Sequence, residues 1–423
     1  QYPISKTLVQ MNKLLLTDSE LKDIVLRYGS PLYLFYENEF RANFAHLCEA
    51  FRAVYKNYIP AYSYKTNYTP YVCGIVKEMG GYAEVVSDME LYLAKKIGYN
   101  HSRIFYNGPC KGKMLEEHLL AGGISNIDNE DEAKRIVMLA QQHPKAHIRV
   151  GIRVNSDIGA GYVSRFGIEM DSEAMKRTFT VLKNCRNISV CGLHCHISRA
   201  RGIVAWQKRI DNLLHVADTY LEKVPDFIDV GSGMFGEMDS SLSAQFEAAP
   251  SYEDYAKVVA GTMAKHYEQA TKKPILFSEP GTTLIAKYLS LVTTVDNIKT
   301  IKDSCFVTVD SSYYNTGEIV LMKKLPYRIV RNGKGDTRSI VKKTNIMGFT
   351  CLEQDCIYTD FPESVQEGDI IEFGNVGGYS IVSKPPFIQP NCKILSITPE
   401  GDLVEIKRQE TYEDIFQTFN FNL

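Results

Sequence analysis

The sequence predicts an α/β fold, a (β/α)8 TIM barrel followed by a C-terminal mostly-β domain. Eight short apolar or β-rich segments are each followed by a helix-like segment, and the first four end about 21 residues apart, a spacing typical of compact βα units. After about Ser290 the strand-like segments are separated by turns instead of helices. A doubly wound open sheet is the alternative architecture, because the sequence does not show whether the parallel sheet closes.

The N-terminal region contributes one helix and one strand. Thr17 and Asp18 are N-cap candidates for a helix that ends at Tyr28, before Gly29. The next segment, Pro31–Tyr36, is apolar throughout and is predicted to form a buried strand. We expect this strand to join the C-terminal β domain.

The remaining strands follow in two groups, separated by the change in texture near residue 290. The eight strands predicted for the barrel are Ile59–Lys65, Tyr82–Val86, Arg103–Asn107, Ile124–Asp128, His147–Asn155, Ile188–His196, Phe227–Gly231 and Ile275–Glu279. Those predicted for the β domain are Ser290–Val295, Phe306–Val309, Glu318–Met322, Tyr327–Val330, Asp369–Phe373, Ile394–Ile397 and Leu403–Ile406. These assignments predict a barrel over residues 37–289 and a β-rich domain formed by residues 1–36 and 290–423.

Composition narrows the class of protein. The 48 basic and 50 acidic residues nearly cancel, which argues against nucleic acid or a membrane surface as the main partner. The chain has no run of about 18 apolar residues, and Gln1–Lys6 lacks the apolar core of a signal peptide. Its ten cysteines do not follow the spacing of a small disulfide-linked domain. We therefore expect a cytoplasmic protein with free thiols.

Chemically active side chains stand where the predicted barrel strands end, and active sites of such barrels lie there. Lys65 leaves an apolar strand for a turn, so its amine can be desolvated and can bond to an aldehyde cofactor. Gly231, Ser232 and Gly233 follow a strand and suit either a phosphate site or a plain tight turn. Glu279 ends another apolar strand, where a buried carboxylate needs a charged partner such as a protonated pyridine nitrogen.

Two further cofactor classes are not expected. The glycines at 231 and 233 lack the continuation of a dinucleotide-binding fingerprint, which argues against NAD. His194 and His196 alternate with Cys191 and Cys195 along one predicted strand. Period-two alternation places the histidines on one face and the cysteines on the other, so the four do not converge on a metal ion. His196 is better placed to pack flat against an aromatic ring.

Over roughly residues 30–400 the chain resembles, motif by motif and in order, the pyridoxal-phosphate decarboxylases that act on diaminopimelate, ornithine and arginine. These enzymes share the fold of alanine racemase. The matching segments are Tyr64–Asn67 (the cofactor lysine motif), Val85–Leu91 (V-V-S-x-x-E-L), Ser164–Gly167 (S-K-F-G), Gly192–Ile197 (G-L-H-x-H-I), Asp229–Gly233 (D-x-G-G-G), Glu279–Gly281 (E-P-G), Cys351–Asp355 (C-(E/D)-x-x-D) and Gly378–Tyr379 (G-A-Y).

The resemblance implies pyridoxal 5'-phosphate as the cofactor and assigns a role to each motif. Lys65 bonds covalently to the cofactor, His196 stacks on its pyridine ring, and Glu279 keeps the ring nitrogen protonated, so that the ring accepts the electrons left by CO2. Cys351, donated across a dimer interface in the family, protonates the decarboxylated carbon. The resemblance therefore also implies a homodimer with shared active sites. The cofactor-binding set is completed by Gly231, Ser232, Gly233, Gly281 and Tyr379.

Departures from the family pattern bear on the substrate. Thr282 replaces the arginine of E-P-G-R, which clamps the distal carboxylate in diaminopimelate decarboxylases. Leu352 replaces an acid that meets a distal ammonium, with Glu353 adjacent, and Arg199 offers a new contact for an anion. These departures argue against diaminopimelate and ornithine and favour a modified, larger or differently charged amino acid, such as a siderophore or natural-product intermediate. The candidate substrate contacts are Arg199, Thr282, Leu352, Glu353, Asp355 and Tyr379.

Two rival functions share this architecture. An amino-acid racemase of the alanine type places an arginine opposite the pyridine nitrogen, so Glu279 favours decarboxylation. A catalytically inactive regulatory homologue that binds protein partners is the second alternative. The presence of Lys65, Glu279 and Cys351 argues against it.

Overall fold

The computed structural model describes residues 16–333 and 343–422. The first 15 residues, which the sequence analysis assigns to the β-rich domain, therefore lie outside the described residues. The described residues divide into two compact units: residues 44–236 with 248–283, and residues 16–43 with 237–247, 284–333 and 343–422. Residues 37–43, 237–247 and 284–289, placed in the barrel by sequence, belong to the second unit. Within the described ranges, every helix is too short or too polar to cross a membrane.

The chain begins with the predicted helix and strand. Helix α1 (Asp18–Tyr28) starts with a capping box, in which the Thr17 hydroxyl accepts from the Glu20 N–H while the Glu20 carboxylate accepts from the Thr17 N–H. Gly29, at φ 77°, ends the helix in a conformation that suits glycine. Strand β1 (Leu32–Tyr36) follows and is buried along its whole length. Both predictions are confirmed.

The elements between β1 and residue 285 form the parallel barrel, except that residues 37–43, 240–243 and 284–285 belong to the second unit. Its strands are β2 (Tyr58–Ser63), β3 (Tyr82–Val85), β4 (Ile104–Tyr106), β5 (Ile124–Ile127), β6 (Ile148–Asn155), β7 (Ile168–Glu169), β8 (Ile188–His194), β9 (Phe227–Asp229) and β10 (Ile275–Ser278). The helices are α2 (Glu37–Arg52), α3 (Pro70–Glu78), α4 (Asp88–Ile97), α5 (Met114–Leu120), α6 (Glu130–Gln142), α7 (Glu173–Lys183), α8 (Ile203–Tyr220), α9 (Ser240–Ser243), α10 (Tyr252–His266) and α11 (Thr282–Ile285).

The sheet closes on itself. Its strand order is β5-β4-β3-β2-β10-β9-β8-β6, every pairing is parallel, and β6 pairs back with β5. Strand β7 adds only a short pairing to the end of β6. The predicted (β/α)8 barrel is confirmed with all eight strands, and the open doubly wound alternative is wrong.

Aromatic side chains fill one layer of the barrel interior. The rings of Phe105 and Phe277, from strands that are not neighbours, meet edge to face with centroids 4.8 Å apart. Cys191 packs into the same cluster, although sequence alternation places it on the face opposite His194. The reason is a register shift against β6, where Val190 and Gly192 pair with consecutive residues and Cys191 is extra. This bulge breaks the period-two pattern, so the prediction for Cys191 is wrong.

The second unit is built mainly from strands. They are β11 (Leu289–Ile301), β12 (Ser304–Val309), β13 (Tyr327–Val330), β14 (Thr344–Met347), β15 (Cys356–Tyr358), β16 (Ile370–Phe373), β17 (Lys393–Ile397) and β18 (Leu403–Lys407), followed by α12 (Tyr412–Phe416). Strand β1 lies between β11, antiparallel to it, and β17, parallel to it. The N-terminal strand thus belongs to this sheet, as the sequence predicts, and the mostly-β fold of the unit is confirmed.

Three details of the β-rich unit differ from prediction. Glu318–Leu321, predicted as part of a strand, is a 3-10 helix with no buried residue, so its apolar side chains have no sheet face to cover. Strands β14 and β15 were not predicted, because both are short and β14 mixes polar with apolar residues. Strand β11 is longer than predicted, since a bulge near Val295 lets one strand pair with both β16 and β12.

Candidate active site

Lys65 lies in the turn after β2, and its amine faces a buried acid. The Lys65 Nζ is 3.3 Å from Glu84 Oε2, and the hydroxyl of Ser63 donates to the same oxygen at 2.6 Å. The Glu84 side chain is 1% exposed, whereas that of Lys65 is 31% exposed. The strand end thus presents an amine that solvent-borne molecules can reach, held by a carboxylate that they cannot.

Asn107 joins this acid to a second one. Its side-chain Nδ2 donates to Glu84 Oε1 at 3.1 Å and to Glu279 Oε1 at 2.7 Å. Its Oδ1 accepts from Asn126 Nδ2 at 2.8 Å, which fixes the orientation of the amide. Lys65, Glu84, Asn107 and Glu279 therefore form a continuous polar chain across the ends of four barrel strands.

Glu279 follows β10 and is buried among three polar side chains. His194 Nε2 lies 3.0 Å from Glu279 Oε2, and ligand atoms of His194, Asp229 and Glu279 all lie within 4.8 Å of one another. Burial opposes ionisation of Glu279, but His194 and a hydrogen bond from Asp229 hold its pKa well below the usual range. Burial, together with Glu279, raises the pKa of Asp229. Glu279 is therefore the carboxylate of the pair and Asp229 the acid.

His196 and the glycine loop are hydrogen-bonded to each other. The Ser232 N–H donates to His196 Nδ1 at 3.1 Å, and the Arg153 guanidinium donates to the His196 carbonyl at 3.0 Å. Burial lowers the pKa of His196 well below its ordinary value, and the charges of Lys65 and Arg153 act in the same direction. The imidazole is therefore neutral, with Nδ1 as acceptor and the proton on Nε2.

Two glycines of the site have no room for a side chain. A Cβ at Gly231, where φ is +73°, would lie 2.1 Å from the carbonyl oxygen of Cys195. A Cβ at Gly281 would lie 2.1 Å from Thr66 Oγ1. Thr282 directly follows Gly281 and opens α11, with its side chain partly buried. The backbone of both loops is thus fixed by close approach.

Arg199 lies three residues beyond His196 and is exposed. Its backbone is left-handed, with φ at 71°, and its guanidinium stacks 5.8 Å from the ring centroid of Tyr162. The Tyr162 hydroxyl in turn donates to the carbonyl of Ser198 at 2.9 Å. This cation is therefore held by an aromatic side chain and forms no ion pair among the residues that the structure describes.

The other predicted residues lie in the β-rich unit. Cys351 and Glu353 are exposed and Leu352 is partly buried, all in the turn between β14 and β15. Asp355 differs, because its buried carboxylate accepts from the backbone N–H groups of Tyr313 and Thr350. It is therefore engaged by the loops around it. Tyr379, partly buried with φ at 58°, follows Gly378.

Sequence analysis gave no role to several residues of this network. Glu84 and Asn107 were recognisable as polar residues at strand ends, but nothing in the sequence indicated that one amide bridges two acids. Asp229 and His194 lie within matched motifs, and only the closed barrel brings them to Glu279.

The closed barrel and its lysine-to-carboxylate network define a class of enzyme, and the comparisons name the family. Residues 41–286, more than half of the chain, match the family model described as pyridoxal-dependent decarboxylase, pyridoxal binding domain. The chain therefore belongs to the pyridoxal-dependent decarboxylases. It is a carboxy-lyase that uses pyridoxal 5'-phosphate.

Individual relatives cover nearly the whole chain. The diaminopimelate decarboxylase of Methanocaldococcus jannaschii is 24% identical over 409 residues, covering 93% of this chain and 92% of that protein. That of Archaeoglobus fulgidus is 26% identical over 420 residues, 94% of each. The structure of diaminopimelate decarboxylase from Helicobacter pylori with L-lysine superposes with a TM-score of 0.79 at 22% identity, over 94% of this chain and 98% of that one. At this sequence identity, the structural similarity shows a shared fold.

Proposed function

We propose that the protein removes CO2 from an amino acid or amino-acid derivative that is neither diaminopimelate nor ornithine. The observation that carries the proposal is Glu279, a buried carboxylate held ionised and joined through Asn107 and Glu84 to the Lys65 amine. A carboxylate in this state stabilises a protonated pyridine nitrogen, which decarboxylation requires. The names of the curated relatives make diaminopimelate the substrate to test against.

The residues present fit the cofactor. The Lys65 amine is accessible to an aldehyde, and Glu279 offers an acceptor to a ring N–H. Within the described part of the chain, the backbone N–H groups of Gly233 and Gly281 donate to no protein acceptor. These N–H groups, in loops too crowded for side chains, suit the oxygens of a phosphate. An aldehyde, a phosphate and a ring nitrogen thus each find a complementary group.

Each residue has a distinct part in the proposed reaction. Bound pyridoxal phosphate supplies the electron sink for the electron pair left when CO2 departs. Lys65 would bond to the aldehyde carbon, with the aldehyde oxygen leaving as water, and Glu84 keeps a proton acceptor beside that amine. Glu279 would hold the proton on the ring nitrogen, with Asp229 as its neutral neighbour. His196, neutral and fixed by Ser232, would contact the ring.

Two residues of the β-rich unit have roles that the family resemblance implies. We propose that Cys351, exposed in its turn, would return a proton to the decarboxylated carbon from the partner subunit of a homodimer. The resemblance also assigns Tyr379 to the cofactor phosphate. Asp355 is better assigned to holding the turn that carries Cys351 than to contacting substrate, since its carboxylate already accepts from backbone N–H groups.

The proposed substrate follows from the positions at which the sequence departs from the family pattern. Thr282 cannot form the bidentate pair that an arginine makes with a distal carboxylate. Leu352 cannot neutralise a distal ammonium, which disfavours ornithine. Arg199 and Glu353 remain as exposed charges. A substrate with a modified or larger side chain, bearing an anionic group for Arg199, fits this set best.

CO2 release over a panel of amino acids, including diaminopimelate, ornithine, lysine and anionic derivatives, tests the proposal. Lys65→Ala should lose both CO2 release and cofactor absorbance, while Lys145→Ala, at an exposed lysine outside the site, should lose neither. Diaminopimelate as the fastest substrate would overturn the substrate proposal. Isomer exchange without CO2 would indicate a racemase. A purified wild-type protein with no cofactor absorbance, unchanged in Lys65→Ala, would indicate a homologue without catalytic activity.

A further inference from the structure

Arg209 is a buried cation without a counter-charge. It lies in α8 and is fully buried, and among the residues that the structure describes it forms no ion pair. Its guanidinium donates to backbone carbonyls, those of Ser232 at 2.7 Å, Val230 at 3.1 Å and Ile197 at 2.5 Å. Carbonyl dipoles alone compensate a buried charge incompletely. The position therefore suits an anion bound nearby.

An aromatic side chain holds the guanidinium in place. Trp206 lies one helical turn earlier in α8 and is fully buried. The centroid of its ring is 4.2 Å from Arg209 Cζ. It is the single tryptophan of the sequence. The stacking fixes the plane of the guanidinium, and it also places the one tryptophan fluorophore beside the glycine loop.

Arg209 sets the direction of the loop's N–H groups. In a trans peptide unit the C=O and N–H bonds point in opposite directions. Because the Ser232 carbonyl points to Arg209, the N–H of Gly233, which shares that peptide unit, points away from it. This is one of the N–H groups without a protein acceptor in the described ranges. The hydrogen bond also polarises the peptide, which strengthens the N–H as a donor.

The same guanidinium reaches the loop that carries His196. Its Nη2 donates to the carbonyl of Ile197, directly after His196, while the Ser232 N–H donates to the His196 ring. Arg209 thus links the glycine loop to the loop that carries His196, through hydrogen bonds to backbone carbonyls of both. A lysine in its place could not donate to three carbonyls in this planar arrangement.

Building on the proposed function, we propose that Arg209 is the positioning residue and counter-charge of the cofactor phosphate. It acts through the peptide groups of residues 230–233 and does not itself touch the phosphate. Its positive charge offsets part of the phosphate's negative charge, and its hydrogen bonds keep the Gly233 N–H directed away from the guanidinium. Arg209 therefore favours the phosphorylated cofactor over pyridoxal, which has the same aldehyde and ring.

Binding of pyridoxal phosphate and of pyridoxal to the apoprotein, followed by quenching of Trp206 fluorescence and by equilibrium dialysis, tests this. Arg209→Met should bind pyridoxal phosphate roughly 10- to 100-fold more weakly, by analogy with the loss of metal affinity when the hydrogen-bond partners of metal ligands are removed. Its affinity for pyridoxal should be unchanged. Arg209→Lys should be intermediate. Lys208→Met, at the neighbouring exposed cation, should match the wild type for both ligands.

The outcomes separate the two proposals. Equal losses for both ligands in Arg209→Met would show a general structural role and overturn the assignment, as would no loss for either. If Arg209→Met does not fold, the ratio of the two affinities in Arg209→Lys decides the question in the same way. A wild-type protein that binds neither ligand at Lys65 would overturn the proposed function itself, and the assignment of Arg209 with it.

Discussion

Asp229 and Glu279 lie close together at the ends of neighbouring barrel strands, with carboxyl oxygens within 4.8 Å of each other. Both carboxyl groups are buried, and burial with the charge of Glu279 raises the pKa of Asp229. Asp229 Oδ1 accepts from the Gly231 N–H at 2.9 Å, while Oδ2, close to Glu279, has no hydrogen-bond partner among the described residues. Because Asp229 is neutral, Glu279 can keep its negative charge without a second charge beside it.

The pair predicts opposite outcomes for two similar substitutions. Asp229→Asn keeps an acceptor for Gly231 and a donor for Glu279, so it should retain most of the CO2 release and the cofactor absorbance. Glu279→Gln removes the charge that holds the ring proton, so kcat should fall by at least about 100-fold. Steady-state kinetics on the best substrate compare them. An Asp229→Asn enzyme as inactive as Glu279→Gln would show that Asp229 acts as a carboxylate.

Replacing Asn107 with an acid should destabilise the protein, because a third carboxylate would then lie between Glu84 and Glu279. Its amide donates to both carboxylates, whereas Asn107→Asp would place an acceptor 2.7 Å and 3.1 Å from their oxygens. The free energy of unfolding should fall by about 3 kcal/mol at neutral pH, the cost of an uncompensated buried charge. The loss should shrink toward acidic pH, where the new carboxyl binds a proton. Denaturant titrations of the apoprotein measure it, with Asn107→Ser as the uncharged control. An equal loss of stability at neutral and at acidic pH would contradict the argument that the new charge causes it.

Much of the fold was predictable because the barrel repeats one simple unit. Each barrel strand is a short apolar segment ending in a polar residue, and the structure places β2 and β10 within two residues of their predicted bounds. The errors lie where local pattern and tertiary pairing disagree. Glu318–Leu321 has strand-like residues but no neighbouring strand, and the Cys191 bulge depends on the register of β8 against β6. Neither is encoded in local periodicity.

The candidate site was predictable one residue at a time but not as a network. The chemistry of Lys65 and Glu279 could be inferred from an amine and an acid at apolar strand ends. That Asn107 spans the two acids requires strand neighbours that only barrel closure defines. Arg209 is the clearest case, since its function depends on burial and on backbone carbonyls.

A buried histidine pair predicts an acid-sensitive step in stability. His118 is fully buried, its Nδ1 lies 2.9 Å from His101 Nδ1, and burial lowers its pKa to about 4. The unfolded chain binds the proton near pH 6.5 and the folded chain only near 4, so stability present above 6.5 is lost as the pH falls between these values. The total is about 3 kcal/mol. Urea titrations across this range measure it.

Two variants test the assignment to His118. In His118→Gln, stability should fall less steeply as the pH is lowered through this range, because glutamine does not titrate. His143→Gln, at an exposed histidine after α6, should leave the loss as it is. A slope that persists in His118→Gln would assign the acid sensitivity to other groups.

Substitution at Thr282 should change the substrate preference. Thr282 opens α11 directly after Gly281, where the resembling diaminopimelate decarboxylases carry the arginine of E-P-G-R. Thr282→Arg would place a planar, bidentate donor there, so kcat/KM for diaminopimelate relative to the best native substrate should rise at least about tenfold, or about 1.4 kcal/mol. Thr282→Lys carries the charge without the fork and should gain less. Competition assays with both substrates measure the ratio directly. If Thr282→Arg leaves it unchanged, residue 282 does not contact the distal group, and the argument against diaminopimelate from this position fails.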